Sequence, residues 1–365
     1  MIHMSGLRVV RAEGDPAQRG HLIGRALGDL IERSLAFYNS YIERRGIASR
    51  ELQDFLAPYL AAAENHLPAY MAMIKAMAEG AMVPVWELFA VNAFEEIDPL
   101  LERGEAPTFL ELDAGSTRGL DRCSSFAVAG QGFTLVGHNE QWLAGDADNV
   151  AVVVEIPTNG GPAVASPTVV CCLPSVGMNE YRGAQAIQSL TAADDGVGVP
   201  RVLVSRYSLD AADRLGALRR AALSGRAGGY GHVFGFAGGD TFIVETTRTR
   251  ESLLEAPGPH TNHYLDPELA EVAPRPSTGS RGRYERLLEL LEEIQPRSPG
   301  GAMEVLRDHQ SEPQAICLHA TEDADDEAAA VLFSMVCDVE TGRMWVAPGN
   351  PCSTEYEEID LRGII

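Results

Sequence analysis

The sequence has few positive charges and no long apolar run. Its 365 residues include 29 basic and 52 acidic side chains, which gives a formal net charge of −23. Such an acidic surface repels phosphate backbones and anionic lipid, so we expect neither nucleic acid nor a membrane as a partner. No apolar segment approaches the roughly 20 residues that a transmembrane helix needs. The acidic balance instead favours a neutral or cationic substrate.

Cysteine is also scarce, and its spacing is not that of a metal site. The six cysteines include no CxxC pair and no histidine at ligand spacing, which predicts that the protein holds no metal. The first residues lack a basic stretch followed by an apolar run, so we expect no signal peptide and a reducing, cytoplasmic location. Apolar residues make up 45% of the chain, as in a globular protein with a sizeable core.

The first third of the sequence is predicted to be helical. Asp15 and a first-turn proline begin a helical pattern, on one face of which Gly20, Gly24 and Gly28 lie four residues apart. We interpret these glycines as a place where another backbone approaches closely. Further helical patterns cover about residues 50–65, 68–79 and 85–95.

After residue 123 the periodicity changes to the alternation of strands. Residues 126–137 are predicted to form a hairpin around a Gly-Gln-Gly turn. The later patterns include predicted strands at 168–172 and 314–319 and a predicted helix at about 202–223. A polar stretch, residues 102–119, separates the two regions. This order predicts an α+β protein in which the helical segment packs against a layered core.

Cys123 begins the first strand of that core. If the Arg122–Cys123 peptide bond is cut, this residue carries both a thiol nucleophile and a free α-amine, so it supplies nucleophile and base together. The ordinary pKa of an α-amine, roughly 7.7–8.0, suits proton transfer near neutral pH. If that cut occurs, Cys123 needs no separate catalytic histidine.

Several short motifs are informative through their order and spacing together. They are residues 14–24, 88–93, 123–125, 137–142, 177–179, 200–206, 261–263, 316–317 and 349–352. Through these motifs the chain resembles the acyl-coenzyme A:6-aminopenicillanic acid acyltransferase family, a cysteine branch of the N-terminal nucleophile (Ntn) hydrolases that also contains amide hydrolases acting on β-alanyl amines. The resemblance implies a four-layer αββα sandwich and a precursor that cleaves itself before Cys123, into an N-terminal helical chain (residues 1–122) and a core chain (residues 123–365).

The resemblance also implies catalytic roles beside Cys123. Asn262 matches a position that contributes an amide to the oxyanion hole. Gln141 stands where the family has an aspartate that orients the terminal amine, and glutamine has no charge to stabilise an ammonium. Glu140 is either the replacement for that aspartate, through a shift in register, or a simple surface charge.

Candidate substrate-binding residues neighbour these positions. An arginine that the family often has after residue 317 is replaced by Leu318, which argues against a carboxylate-bearing β-lactam as substrate. Each candidate also has a structural interpretation, as a packing tryptophan or a structural histidine. The candidates are His138, Trp142, His263 and His319.

Three functions stay open at this point. The leading hypothesis is a self-processing, cofactor-free amidohydrolase that cleaves an N-acyl or aminoacyl amide of a small molecule, as in secondary metabolism, through a Cys123 thioester. The second is an amide-forming N-acyltransferase that uses coenzyme A or a carrier-protein thioester as co-substrate. The third is an unprocessed, inactive binding protein, supported by Gln141 and Leu318. The oligomeric state stays open too, a homo-oligomer included.

Overall fold

A computed structural model of the chain describes residues 2–4, 7–101, 123–255, 258–273, 278–310, 314–320 and 326–364. The helices in these ranges are α1 (Pro16–Arg44), α2 (Ser49–His66), α3 (Pro68–Ala81), α4 (Val85–Asn92), α5 (Phe94–Leu101), α6 (Arg201–Leu209), α7 (Arg214–Ala221), α8 (Pro267–Ala270), α9 (Thr278–Ile294) and α10 (Pro299–Leu306). None of them is long and apolar enough to cross a bilayer.

The strands of the same ranges form two sheets. The strands are β1 (Ile2–Met4), β2 (Leu7–Gly14), β3 (Ser124–Gly130), β4 (Phe133–Leu143), β5 (Val150–Pro157), β6 (Val164–Val169), β7 (Gly177–Asn179), β8 (Gly183–Leu190), β9 (Gly229–Phe236), β10 (Asp240–Thr246), β11 (Glu251–Leu254), β12 (Gly258–His260), β13 (Ala329–Asp338), β14 (Arg343–Pro348) and β15 (Glu357–Ile359). One sheet has the order β1-β2-β5-β6-β7-β8-β9-β10-β11, and the other has the order β12-β3-β4-β13-β14-β15.

The two sheets pack face to face, with helices on both outer faces. Alternate side chains of β5 show the layering, because Val152 and Val154 lie in the core between the sheets, whereas Val153 lies in the core under the N-terminal helices. On the far side, Leu290 of α9 and Val305 of α10 pack against the outer face of the smaller sheet. The predicted four-layer αββα sandwich, with the helical segment packed on it, is confirmed.

The segment before Cys123 also contributes strands, which the sequence analysis did not predict. β2 pairs in parallel with β5, with Arg8 opposite Ala151. In this strand the buried Val10, Ala12 and Gly14 alternate with exposed, charged residues, which is the ordinary pattern of a half-buried strand. A division of the chain at Cys123 stays a prediction, and the first segment is built into the larger sheet.

Three further elements differ from the predicted pattern. The helix predicted over residues 202–223 is divided into α6 and α7, since Asp213 caps α7 by accepting a hydrogen bond from the Gly216 amide at 2.7 Å. The strand predicted at 168–172 lies earlier in the chain, as β6. Residues 314–319, predicted as a strand, have no regular structure.

The glycines of α1 explain how closely α1 packs on α3. A Cβ atom on Gly20 would lie 2.2 Å from the Met73 carbonyl oxygen, and one on Gly24 would lie 2.0 Å from the Met77 carbonyl oxygen. Both distances are far below van der Waals contact, so the predicted close approach of two backbones is confirmed at these positions. At Gly28, in contrast, an added Cβ would be 3.8 Å from the Ala81 Cα atom.

This difference predicts opposite effects of two matched substitutions. We expect Gly24→Ala to lower the free energy of unfolding by about 1–3 kcal/mol, because the helices must separate. Gly28→Ala should raise it by up to about 1 kcal/mol, because alanine favours the helix and has room. Urea unfolding of both variants measures the difference. Equal stability of the two variants would contradict the packing.

Candidate active site

The site is built around the β3–β4 hairpin, which turns at Gln131 and Gly132 as predicted. Ser125 pairs with His138 and Ser124 with Asn139, and the next pair in this register sets Cys123 across from Glu140. Because side chains alternate along a strand, odd and even positions of β4 face different layers. The even positions, 138, 140 and 142, face Cys123 and the space between the sheets.

Cys123 makes a separate polar contact through each of its polar atoms. Its backbone nitrogen donates to Asn262 Oδ1 at 3.0 Å, and its thiol donates to Glu140 Oε1 at 3.4 Å. Its carbonyl oxygen accepts a hydrogen bond from Arg283 Nη1 at 2.5 Å. With 6% of its surface exposed, the residue is fixed in position at the floor of a cavity.

The environment of Cys123 favours the protonated thiol. Burial raises the pKa of the Cys123 thiol well above its usual value, and the adjacent Glu140 carboxylate raises it further. A hydrogen bond from the Gln141 backbone and the charge of Arg283 act in the opposite direction with smaller effect. Attack by this sulfur therefore requires a base that removes its proton.

A buried hydrogen-bond chain orients Glu140. His138 Nε2 lies 3.0 Å from Glu140 Oε2, and His138 Nδ1 lies 2.7 Å from Ser125 Oγ, which also accepts a hydrogen bond from Gln188. The Glu140 side chain is 17% exposed, which fits a replacement carboxylate and not a simple surface charge. His138 is fully buried, so it holds Glu140 in place and does not reach the cavity.

The side chain of Gln141 lies on the other face of β4, away from Cys123. Its Nε2 donates to the carbonyl oxygens of Ile316 at 2.8 Å and Ala315 at 3.3 Å. Asn139 faces the same way and donates to the Leu306 and Ile316 carbonyls, both at 2.9 Å. Strand alternation thus separates Gln141 from the catalytic position that the resemblance implied for it, and only its backbone contacts the site.

Asn262 lies against Cys123, in a loop after β12. Its Oδ1 accepts hydrogen bonds from the Cys123 backbone and from Arg283 Nη2, the latter at 3.1 Å, whereas its Nδ2 donates to the Ser189 carbonyl at 3.2 Å. The amide oxygen therefore faces the nitrogen of Cys123. One hydrogen of the Nδ2 group remains for an oxyanion beyond its bond to Ser189.

A buried carboxylate holds this loop. Glu245 of β10 accepts hydrogen bonds from the backbone amides of Leu265 at 2.6 Å and Asp266 at 2.9 Å, and its Oε1 lies 2.8 Å from His260 Nε2. Both side chains of the Glu245–His260 pair are completely buried. Glu245 thereby fixes the chain on either side of Asn262.

Arg283 was missed by the sequence analysis. It lies on α9 and is only 2% exposed. Besides its bonds to Cys123 and Asn262, it donates a hydrogen bond to Ser124 Oγ at 2.9 Å. In the sequence it is one arginine in an ordinary helical pattern, 160 residues after Cys123, and nothing local marks it.

The cavity above Cys123 has an envelope of about 710 Å³, which includes open solvent at its mouth. Its polar groups include two carboxylates, Glu95 and Glu140, and among the residues that the structure describes no lysine, arginine or histidine lines it. Glu95, also absent from the predicted site, accepts hydrogen bonds from Ser189 Oγ at 2.6 Å and Tyr230 Oη at 2.7 Å. Burial raises the pKa of the Glu95 carboxyl.

The described part of the cavity wall is rich in aromatic side chains, namely Tyr38, Phe94, Trp142, Tyr230 and Phe333.

The remaining predicted site residues are divided between the cavity and other regions. Trp142 lines the cavity and donates to Tyr38 Oη at 2.7 Å. His263 is outside it, packed edge-on against the Tyr284 ring, and His319 is exposed on a different surface. Arg122 lies outside the described residues, so the predicted cleavage bond has no structural description.

A family match, together with the layers and the cysteine at the start of a strand, supports an amide-acting enzyme of the Ntn-hydrolase and acyltransferase type. Residues 128–353, more than half of the chain, match the model of the family described as acyl-coenzyme A:6-aminopenicillanic acid acyl-transferase. The protein belongs to this family. The match begins after Cys123, so it bears on the core and not on the cysteine itself.

Solved structures with a similar backbone include two kinds of enzyme. Penicillin V acylase from Agrobacterium tumefaciens is 15% identical over 66% of this chain and 87% of its own, with a TM-score of 0.48. A variant of conjugated bile acid hydrolase from Clostridium perfringens is 13% identical over 66% of this chain and 92% of its own, with a TM-score of 0.46. The sequence matches none of the curated proteins with which it was compared.

The contacts of Arg283 predict that a lysine cannot replace it. Arg283→Lys should lower the free energy of unfolding by about 1–3 kcal/mol, because the shorter, unforked ammonium leaves buried acceptors unpaired. Urea unfolding measures the effect. The matched control is the exposed Arg281→Lys on the same helix, which should change stability by less than about 0.5 kcal/mol. Equal loss in both variants would contradict the buried contacts.

Proposed function

We propose that the protein is a self-processing amidohydrolase that cleaves an N-acyl or aminoacyl amide of a small molecule through a Cys123 thioester. The observation that carries this proposal is the arrangement of Cys123 at the cavity floor, with its nitrogen, carbonyl oxygen and thiol each bound to a different polar side chain. A purely structural cysteine does not need three such partners at a cavity.

Maturation would remove the bond before Cys123. The Cys123 sulfur attacks the carbonyl carbon of Arg122, the bond from that carbon to the Cys123 nitrogen breaks, and the thiol proton passes to the nitrogen. Water then hydrolyses the resulting thioester, which leaves a carboxylate on Arg122 and restores the thiol. The product is an N-terminal cysteine whose free amine replaces the amide nitrogen now bound to Asn262.

In turnover the α-amine would act as the base that the buried thiol needs. It takes the thiol proton while the sulfur attacks the substrate carbonyl, then gives a proton to the leaving amine, and water releases the acyl group. Asn262 Oδ1 orients the α-amine, and the Glu140 carboxylate compensates the positive charge on it. Glu140 thus supplies the charge that Gln141 lacks.

The cavity favours a neutral or cationic substrate. The described part of the wall carries two carboxylates and no cation, which disfavours an anionic substrate because its charge would be buried beside like charges. The aromatic side chains suit an apolar group or an ammonium, which is attracted to ring faces. An aminoacyl amide combines both features.

The first test is the mass of the purified protein. We expect two fragments separated before Cys123, and one intact chain in a Cys123→Ala variant. Cys337→Ala, at a buried cysteine outside the cavity, is the control and should process normally. The processed protein should release p-nitroaniline from a panel of acyl and aminoacyl p-nitroanilides.

The outcomes distinguish the rival functions. An intact wild-type chain without activity on the panel would overturn the proposal in favour of an inactive binding protein. Stable amide formed from an added amine and an acyl-coenzyme A donor, faster than hydrolysis, would instead identify an acyltransferase.

The role of Glu140 predicts a shift in pH dependence. A nearby carboxylate stabilises the ammonium form, so its removal lowers the pKa of the α-amine. In Glu140→Gln we expect kcat/KM to fall by about 10²-fold and the acidic limb of its pH profile to move about 1 unit lower. Gln141→Leu is the control. It should leave the limb in place, and a limb that moves equally in both variants would contradict the assignment.

A further inference from the structure

Four side chains of metal-binding types converge on a surface outside the cavity. We propose that four residues bind one zinc ion there: His309 after α10, Cys317 and His319 in the irregular segment 314–320, and Cys352 after β14. None of the four lines the cavity, and none has a part in the proposed amide chemistry.

The potential ligand atoms of these four residues already converge. All lie within 4.8 Å of one another. His319 Nε2 is 3.1 Å from His309 Nε2, 3.2 Å from Cys352 Sγ and 3.7 Å from Cys317 Sγ. A tetrahedral zinc ion with bonds of about 2.0–2.1 Å to nitrogen and 2.3 Å to sulfur has ligand–ligand distances of about 3.3–3.8 Å. The observed spacing is close to this range.

Hydrogen bonding alone does not account for this convergence. A neutral imidazole nitrogen acts either as a donor or as an acceptor. His319 Nε2, however, lies near three potential metal ligands at once: His309 Nε2, Cys317 Sγ and Cys352 Sγ. A cation at the centre would give every one of the four atoms the same partner.

The chemistry of the donor set selects zinc. Two sulfurs and two imidazoles in tetrahedral arrangement form the Cys2His2 set of structural zinc sites. Both cysteines would bind as thiolates, so binding releases two protons to solvent and the two negative charges balance the ion. With all four positions taken by the protein, the site would be structural.

Neighbouring contacts hold the three segments together. Asn350 Nδ2 donates to the Leu318 carbonyl at 2.7 Å and lies 3.6 Å from Cys317 Sγ, where it can donate to a thiolate. Arg307 Nε donates to the Pro351 carbonyl at 2.8 Å. Such contacts around the ligands orient them before the metal arrives.

The sequence argued against zinc because the ligands come from three separate segments. Only the Cys-Leu-His stretch at 317–319 is local, and it is too short to identify a site. The irregular segment that carries it also presents the carbonyls of Ala315 and Ile316 to Gln141 on the outer face of β4. Zinc would therefore hold in place the support behind the strand that carries Glu140.

Metal analysis of the untagged, full-length protein tests the site. We expect about one zinc per chain, and less than about one-tenth of that in Cys352→Ser and His319→Ala. Both substituted residues are exposed, so the variants should fold. Cys337→Ala and the exposed His66→Ala are matched controls and should keep the zinc. Cobalt(II) added to metal-free protein should give the thiolate charge-transfer and visible bands of a tetrahedral site, and Cys352→Ser should lose them.

A chelator gives a second readout. It should lower the Tm of the wild type and leave that of Cys352→Ser unchanged. The proposal is overturned by a wild type that takes up no added zinc, by zinc that remains in both ligand variants as an adventitious ion, or by a Cys317–Cys352 disulfide in protein alkylated at lysis. Retention of a different metal by the same four residues would overturn the assignment to zinc.

Discussion

The register of the β3–β4 hairpin is the constraint on which the site depends. It sets Cys123 across from Glu140, and it decides that even positions of β4 face the cavity layer while odd positions face the outer helices. A slip of one residue would exchange the two sets and would put an amide beside the cysteine in place of a carboxylate. The register is fixed because both faces of β4 are buried in different layers. The catalytic arrangement is therefore a consequence of the sandwich itself.

The separation of odd and even positions of β4 changes the interpretation of Gln141. In the sequence it appears as the loss of a catalytic carboxylate, and that loss supported an inactive protein. In the structure Gln141 fastens the segment at Ile316 to the outer face of β4, whereas Glu140 faces the thiol. The carboxylate of Glu140, one position earlier, lies on the face of β4 where Cys123 lies. The same strand thus joins the proposed catalytic centre on one side to its support on the other.

The sequence predicted those features whose signal lies in the periodicity of neighbouring residues. Alternation located the hairpin and Cys123 at its start, and helical periodicity located helices of the N-terminal segment, because both signals lie within one element. The four-layer arrangement was implied by the resemblance. The sequence did not predict Arg283 or Glu95, since each lies on a helix whose local pattern is ordinary and reaches the site only through tertiary packing. β2 was missed although its apolar and charged residues alternate as in an ordinary strand. Asn262 was located through the resemblance, although its amide oxygen, and not its nitrogen, faces Cys123.

The arginines are distributed unevenly between the interior and the surface. Several of them are buried in ion pairs, such as Arg206 with Glu155 at 3.2 Å and Arg201 with Glu96 at 2.9 Å. Arg201 also lies 3.9 Å from Glu95, behind the cavity wall and not on it. These cations keep carboxylates in the interior, where each would otherwise be too costly to bury. Among the described residues they leave the cavity wall without a cation. The proposed preference for a neutral or cationic amide therefore rests on where these arginines lie more than on the net charge of −23.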